Sequence, residues 1–375
     1  MGAFSWLIRG KTASEVITEL RRRLDGRSGG RLAVYFAGVA LERNAVAEGV
    51  AESLPGAQTI GVSSVRTIHN QDMADDHSLS IMVFDDGHVA DARVELMEGT
   101  SAGADPEPAF GAFRRYFKDD QALADPGRYV GLVLADPFNM GDQMVIERLG
   151  DRSDVMFVGG SASDGGTMKD TWVAANGKAA GDAAAVALLR PARPFRTAKV
   201  QSVKALQNSP ALMATKVDPA TGAVLEFNDR PAIDAFAEAF GVKPAEVDNE
   251  FMDSHQLGLS AEGDWYVRDG RLVLPGGGLL FYAKIREGQK LSALEPTDMV
   301  ADIASRQAEI HREWGRPTAV LEFCCLHRYM TLMKQRQSVE PYLSLHGDTP
   351  LSGFVTFGEA YFGHVNCTST YLLLG

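Results

Sequence analysis

The residues with the densest chemical potential lie near the C-terminal end, in Gly353 to Thr370, GFVTFGEAYFGHVNCTST. A β-rich run, Phe354 to Phe357, is followed at once by the carboxylate of Glu359. Asn366, Thr368 and Thr370 then occupy alternate positions. If 365–373 is a strand, their amide and hydroxyl groups share one face. A carboxylate beside a polar row at adjoining strand ends can hold a small polar ligand. The plainer alternative is a hairpin whose polar face meets water. A second candidate is the run 159–166, GGSASDGG, in which Gly159, Gly160 and Ser161 follow an expected strand over 154–158. Glycines at a strand's end let backbone N–H groups approach a ligand closely. The run is not a dinucleotide fingerprint, because no G-x-G-x-x-G opens a helix, and no Gly-Lys-Ser/Thr follows to make a phosphate loop. A tight surface loop is its alternative.

The third constellation is CCLHR, residues 324–328. The Arg328 guanidinium at a strand's end can pair with Glu359 or with the carboxylate of a ligand such as an amino acid. Cys325 and His327 share one face of an extended chain, as a nucleophile and its base would. A thiol-dependent hydrolase is therefore the enzyme reading, although no oxyanion donor or orienting group accompanies the pair. A buried thiol is the other reading. Adjacent Cys324 and Cys325 point to opposite faces of a strand and cannot easily grip one zinc ion.

The elements that must position these groups follow the hydrophobic pattern. Helices are expected over 12–24, 41–54, 107–117, 143–149, 232–240, 297–314 and 329–339, from apolar residues at helical spacing. Short apolar runs at 31–37, 59–62, 78–84, 128–135, 154–158 and 319–323 read as buried strands. GVSSVRTIHN, 61–70, reads as a loop after its strand. Asp85-Asp86-Gly87 predicts a hairpin joining 78–84 to 89–97, and Asn176-Gly177 predicts another within 171–189. Asp269-Gly270 predicts a third, joining 265–268 to 271–274. The fold class is α/β, with mixed-sheet α+β layers. A helical lead-in, 1–30, precedes a first region, 31–221, and a second, 222–375.

The composition narrows the function. With 375 residues the chain has room for two domains. Lys plus Arg is 37 against 49 for Asp plus Glu, a formal charge of −12, which argues against a nucleic-acid or anionic-membrane surface as main partner. No apolar run is long enough to insert in a membrane. Three cysteines make no disulfide framework, and the expected location is the cytoplasm.

In order along the chain, seven pieces resemble the FIST family. They are GVSS (61–64), SLSIMVF (78–84), VGGSASDGG (158–166) and WVAANGKAAGDAAAVALL (172–189), then LEFNDRPAIDAF (225–236), Cys325-x-x-Arg328, and GFVTFGE with Asn366-x-Thr368. One departure is His327, where the family usually has a small or aliphatic residue. The resemblance spans about residues 31 to 372 and implies an α/β sensory module, not an enzyme, with interlocked N and C regions. It implies a small ligand and a separate signalling partner such as a histidine kinase. Stand-alone two-region members are similar to the nitric-oxide-sensing NosP type, which implies haem b as cofactor; a sensor of an amino acid or other small polar metabolite is the alternative. The resemblance does not carry over a haem ligand. On chemistry, His327, His364 and His255 are the candidate axial ligands. The expected ligand-binding set is Gly159, Gly160, Ser161, Arg328, Glu359, Asn366 and Thr368.

Overall fold

Three segments of the chain repeat one plan: an apolar strand, a helix, and a second strand parallel to the first. Leu32–Gly38 and Gln58–Ser64 flank the helix Arg43–Ser53. Val130–Ala135 and Phe157–Ser161 flank Gly141–Asp151. Ala319–Cys325 and Leu351–Thr356 flank Leu326–Arg336 and the short helix Glu340–Leu343. Parallel strands cannot be joined by a tight turn, so each pair needs its crossover. All residues of these six strands except Gln58 are buried, which is why they read as continuous apolar runs and not as alternation.

The computed structural model describes residues 2–27, 29–103, 105–165, 169–261 and 263–375, with only the backbone described at Asn139. Each crossover sits in its own six-stranded mixed sheet. In the first sheet, Ser78–Phe84 lies between Phe4–Arg9 and Leu32–Gly38. In the second, Ala183–Pro191 lies between Val130–Ala135 and Val89–Glu98. In the third, Ala319–Cys325 lies between the parallel Leu351–Thr356 and the antiparallel Thr368–Leu374. Val34 and Phe36, Leu132 and Leu134, and Phe323 and Phe354 meet from the three sheets in one core. Phe36 stacks on Phe354 with ring centroids 5.1 Å apart. Helices close the outer faces. Ala13–Leu24, capped by Thr12 accepting from the Glu15 N–H, buries Val16, Ile17 and Leu20 against Tyr35 and Ile81.

The chain divides into two compact units. The larger comprises Met1–Val200, Ile303–His364 and Ser369–Gly375, and the smaller Gln201–Asp302 and Val365–Thr368. The smaller unit is an antiparallel sheet with helices Ala232–Ala239 and Asn249–Ser254. Leu212, Phe227, Phe236, Leu257 and Leu291 are in its core. The units therefore cut across the sequence regions 31–221 and 222–375. No helix among the described residues is long and apolar enough to cross a membrane.

Several local expectations change. The lead-in is not wholly helical, because Phe4–Arg9 is a strand. GVSS continues its strand to Ser64, and Thr67–His69 is a further strand. Ser78–Phe84 and Val89–Glu98 lie in different sheets and form no hairpin. Asp264–Arg268 pairs with Leu257–Ala261, while Gly270–Val273 pairs with Leu279–Phe281. In both cases the turn residues do bend the chain, but each strand finds its partner elsewhere. Turn chemistry fixes a reversal, whereas pairing is decided by which apolar faces must be buried together.

Candidate ligand site

The Gly-rich run does not frame a loop at its start. Gly159 and Gly160 are inside the strand Phe157–Ser161. A Cβ on Gly159 would fall 1.8 Å from the Val133 carbonyl oxygen, and one on Gly160 2.7 Å from Thr356 Cγ2. Both glycines permit close backbone packing. Gly166, at the end of the run, lies outside the described residues. The serines of the matched motifs also serve the framework. Ser63 Oγ accepts from the Trp172 N–H at 3.0 Å, Ser64 Oγ donates to the Val355 carbonyl at 3.2 Å, and Ser163 Oγ donates to that same carbonyl.

Ser161 and His364 converge on a residue the sequence reading passed over, Asp142. Ser161 Oγ donates to Asp142 Oδ2 at 2.5 Å, and His364 Nε2 stands 3.4 Å from the same oxygen, close for an ion pair and long for a hydrogen bond. Gly358 makes room for the ring, since a Cβ there would lie 2.2 Å from His364 Nε2. Burial by itself would raise the Asp142 pKa. The nearby His364, then the Ser161 hydroxyl and the Gln143 N–H, outweigh it and hold the carboxyl below its usual range. The carboxylate is the hub here. A serine nucleophile would need the histidine between it and the acid.

The remaining predicted residues scatter. Glu359 is buried opposite Gly160 and accepts from Thr356 Oγ1. Asn366 and Thr368 fall in the segment assigned to the smaller unit, where Asn366 bridges to Val267. The strand expected over 365–373 begins only at Thr368, because Cys367 adopts φ +55°. Asn366 is therefore out of line with Thr368 and Thr370. His255, in the smaller unit, stacks on Phe251 with centroids 3.7 Å apart, and its Nδ1 lies 2.8 Å from the Phe251 carbonyl oxygen. His327 is half-buried in the first turn of the helix Leu326–Arg336. The chain leaves the extended conformation at Cys325, so the shared strand face proposed for Cys325 and His327 does not exist. All three cysteines are free and buried, and burial pushes the Cys324 thiol well up.

Arg328 leads to the most unusual chemistry of the larger unit. Its Nε donates to Ser369 Oγ at 3.1 Å, and the Tyr342 hydroxyl lies 3.4 Å from that oxygen. Tyr342 and Tyr371 both donate to Glu322 Oε1, the latter at 3.0 Å. Glu322 is fully buried in the middle of the strand Ala319–Cys325. Burial raises its pKa to about 7, against the lowering effects of Tyr371, Arg328 and Ser369. Its other oxygen, Oε2, has no hydrogen-bond partner and faces His346 Nε2 at 3.8 Å. His346 Nε2 is equally without a partner. Burial, and then the charge of His311, pushes His346 down to about 4, so its imidazole is neutral at neutral pH. The sequence signal was available: Glu322 is the lone charge inside the apolar run AVLEFCC.

His346 and Tyr371 also line a cavity of about 730 Å³ within the larger unit. Ile303 and Ile310 of the helix Met299–Glu313 form one wall, with Val320 and Leu373 of the third sheet opposite. Thr318, His311 and Arg316 add polar groups. Burial and the Arg316 guanidinium lower the His311 pKa. None of His255, His327 and His364 lines this cavity.

Two family models match the chain, the FIST N domain over residues 31–230 and the FIST C domain over 232–361. The chain belongs to the FIST family. FIST domains are sensory domains of signal transduction, and they couple small ligands to signalling partners. No curated protein matches the chain.

Proposed function

We propose that this FIST protein is a sensor whose small ligand binds in the 730 Å³ cavity and whose response passes to a separate signalling protein such as a histidine kinase. One observation carries the reading. A cavity of the size and mixed polarity of small-molecule sites ends on His346 and Tyr371, and through Glu322 these connect to Arg328 in the first turn of a helix. A ligand touching His346 thereby bears on the charges that position that helix. A small polar metabolite such as an amino acid suits the polar groups of the cavity. Haem b with nitric oxide is the second reading, favoured by residues of axial-ligand type in the cavity, His311, His346 and Tyr371. Three buried cysteines, none of them in a disulfide, support a reducing, cytoplasmic setting. The buried Cys325 gives no support to a thiol hydrolase.

The test pairs a thermal-shift and calorimetric screen of amino acids and organic acids with haem reconstitution, on wild type and Ala304→Trp. Ala304 lines the cavity and is half-buried, so the indole occupies ligand space without removing a polar group. Ligands should bind wild type and fail on Ala304→Trp. Hits that persist in the variant would place the site elsewhere. A sharp, stoichiometric Soret band that responds to nitric oxide and is lost in His346→Ala or His311→Ala would select haem.

A further inference from the structure

The inference rests on the cavity being the ligand site. Besides Arg306, three basic side chains line it, His311, Arg316 and His346. Arg316 lowers the proton affinity of His311, and His311 lowers that of His346, so each acts electrostatically on the next. The acids around them do not answer this field. Glu309 is bonded to Arg306 and Glu313 to Arg196. Asp348 sits at the exposed rim, and Glu340 is exposed on the helix Glu340–Leu343. Glu322 faces His346 from the strand beneath.

A second observation concerns that last contact. Glu322 Oε2 and His346 Nε2 are both buried, face each other at 3.8 Å, and have no hydrogen-bond partner. Around Glu322, Tyr342 and Tyr371 hold the other oxygen, Arg328 approaches from its helix, Cys324 is adjacent on its own strand, and the neighbouring strand presents only Gly353. An approach of about 1 Å would close the gap to a hydrogen bond, and one proton satisfies both atoms.

We infer that the cavity takes a small organic carboxylate, whose negative charge draws the proton of Glu322 onto His346. The proton leaves Glu322 Oε2 and arrives on His346 Nε2, and nothing else is exchanged. A neutral acid and a neutral imidazole become a carboxylate and an imidazolium. The imidazolium then balances the ligand's charge, and Glu322 becomes charged within the field of Arg328. Occupancy is thus converted into a new charge pair at the helix Leu326–Arg336. The apolar walls, Ile303, Ile310, Val320 and Leu373, suit a ligand with an apolar body beside its carboxylate.

Benzoate and its uncharged isostere benzamide are the probes, read by nitrogen NMR of histidine-labelled protein near pH 6, where Glu322 still holds its proton. Benzoate should move the His346 ring to the imidazolium pattern, and benzamide should leave it neutral. Arg316→Ala should weaken benzoate about tenfold, the value of one charge-assisted contact. In Glu322→Gln the proton must come from solvent, so calorimetry in buffers of different ionisation enthalpy should show uptake of one proton on binding. Benzoate binding with His346 still neutral would overturn the relay. If only uncharged or cationic compounds bound the cavity, the carboxylate assignment would fall while the cavity reading stood. If no compound bound there, both would fall.

Discussion

Of the buried histidine–carboxylate pairs described in the larger unit, two hold their acids in opposite states. Asp142, beside His364, is held below the usual carboxyl range. Glu322, beside His346, is raised to about 7. Burial opposes ionisation in both. At Asp142 a nearby histidine, a serine hydroxyl and a backbone N–H together outweigh it. At Glu322 two phenols and a guanidinium do not, because the neighbouring histidine contributes no charge of its own. The first pair therefore behaves as framework. The second is poised, since a change at His346 can reverse the state of Glu322.

Asp142→Asn should cost on the order of 3 kcal/mol in urea denaturation, since it leaves the buried His364 and Ser161 groups without their anion. Glu322→Gln near pH 6 should cost no more than about 1 kcal/mol and can be stabilising, because a neutral group replaces one neutral in the fold and ionised only in the unfolded chain. Equal losses for the two variants would sink the contrast.

Glu322 binds its proton more tightly folded than unfolded, so its contribution is present below the unfolded value, 4.5, and is lost as pH rises through about 7. His346 binds its proton less tightly folded, so its contribution is present above 6.5 and is lost as pH falls through about 4. Between those limits the slopes oppose, and wild type should be nearly flat in this pair's contribution. Glu322→Gln should expose a stability that rises with pH, and His346→Gln one that falls with pH, each on the order of 3 kcal/mol across its window. Parallel profiles for the two variants would contradict the assignment. The smallest effect is expected at Arg316→Ala, where an exposed side chain should change stability by less than about 0.5 kcal/mol while ligand binding weakens.

Much of the framework was legible, because buried parallel strands and capped amphipathic helices leave local signatures. The strands over 32–38, 130–135 and 319–325 and the helix behind Thr12 follow from apolar runs and spacing. Pairing was not legible: Ser78–Phe84 and Val89–Glu98 are joined by a good turn yet enter different sheets. Of the groups around Glu322, the sequence reading had named only Arg328, which does not line the cavity. Gly159 and Gly160 look the same in sequence whether a ligand or a carbonyl oxygen fills the space beside them. A left-handed Cys367 broke the alternation on which Asn366, Thr368 and Thr370 depended. Glu322 and His346 are 24 positions apart, and their meeting is a product of the third crossover.

The most direct test is the infrared difference spectrum of the carboxyl region between about pH 6 and about pH 8.5, bracketing the raised value of Glu322. A protonated-carboxyl band should be present at the lower pH, vanish at the higher, be absent from Glu322→Gln and survive in Asp142→Asn. A band missing from wild type at the lower pH, or one that Asp142→Asn removes, would contradict the account.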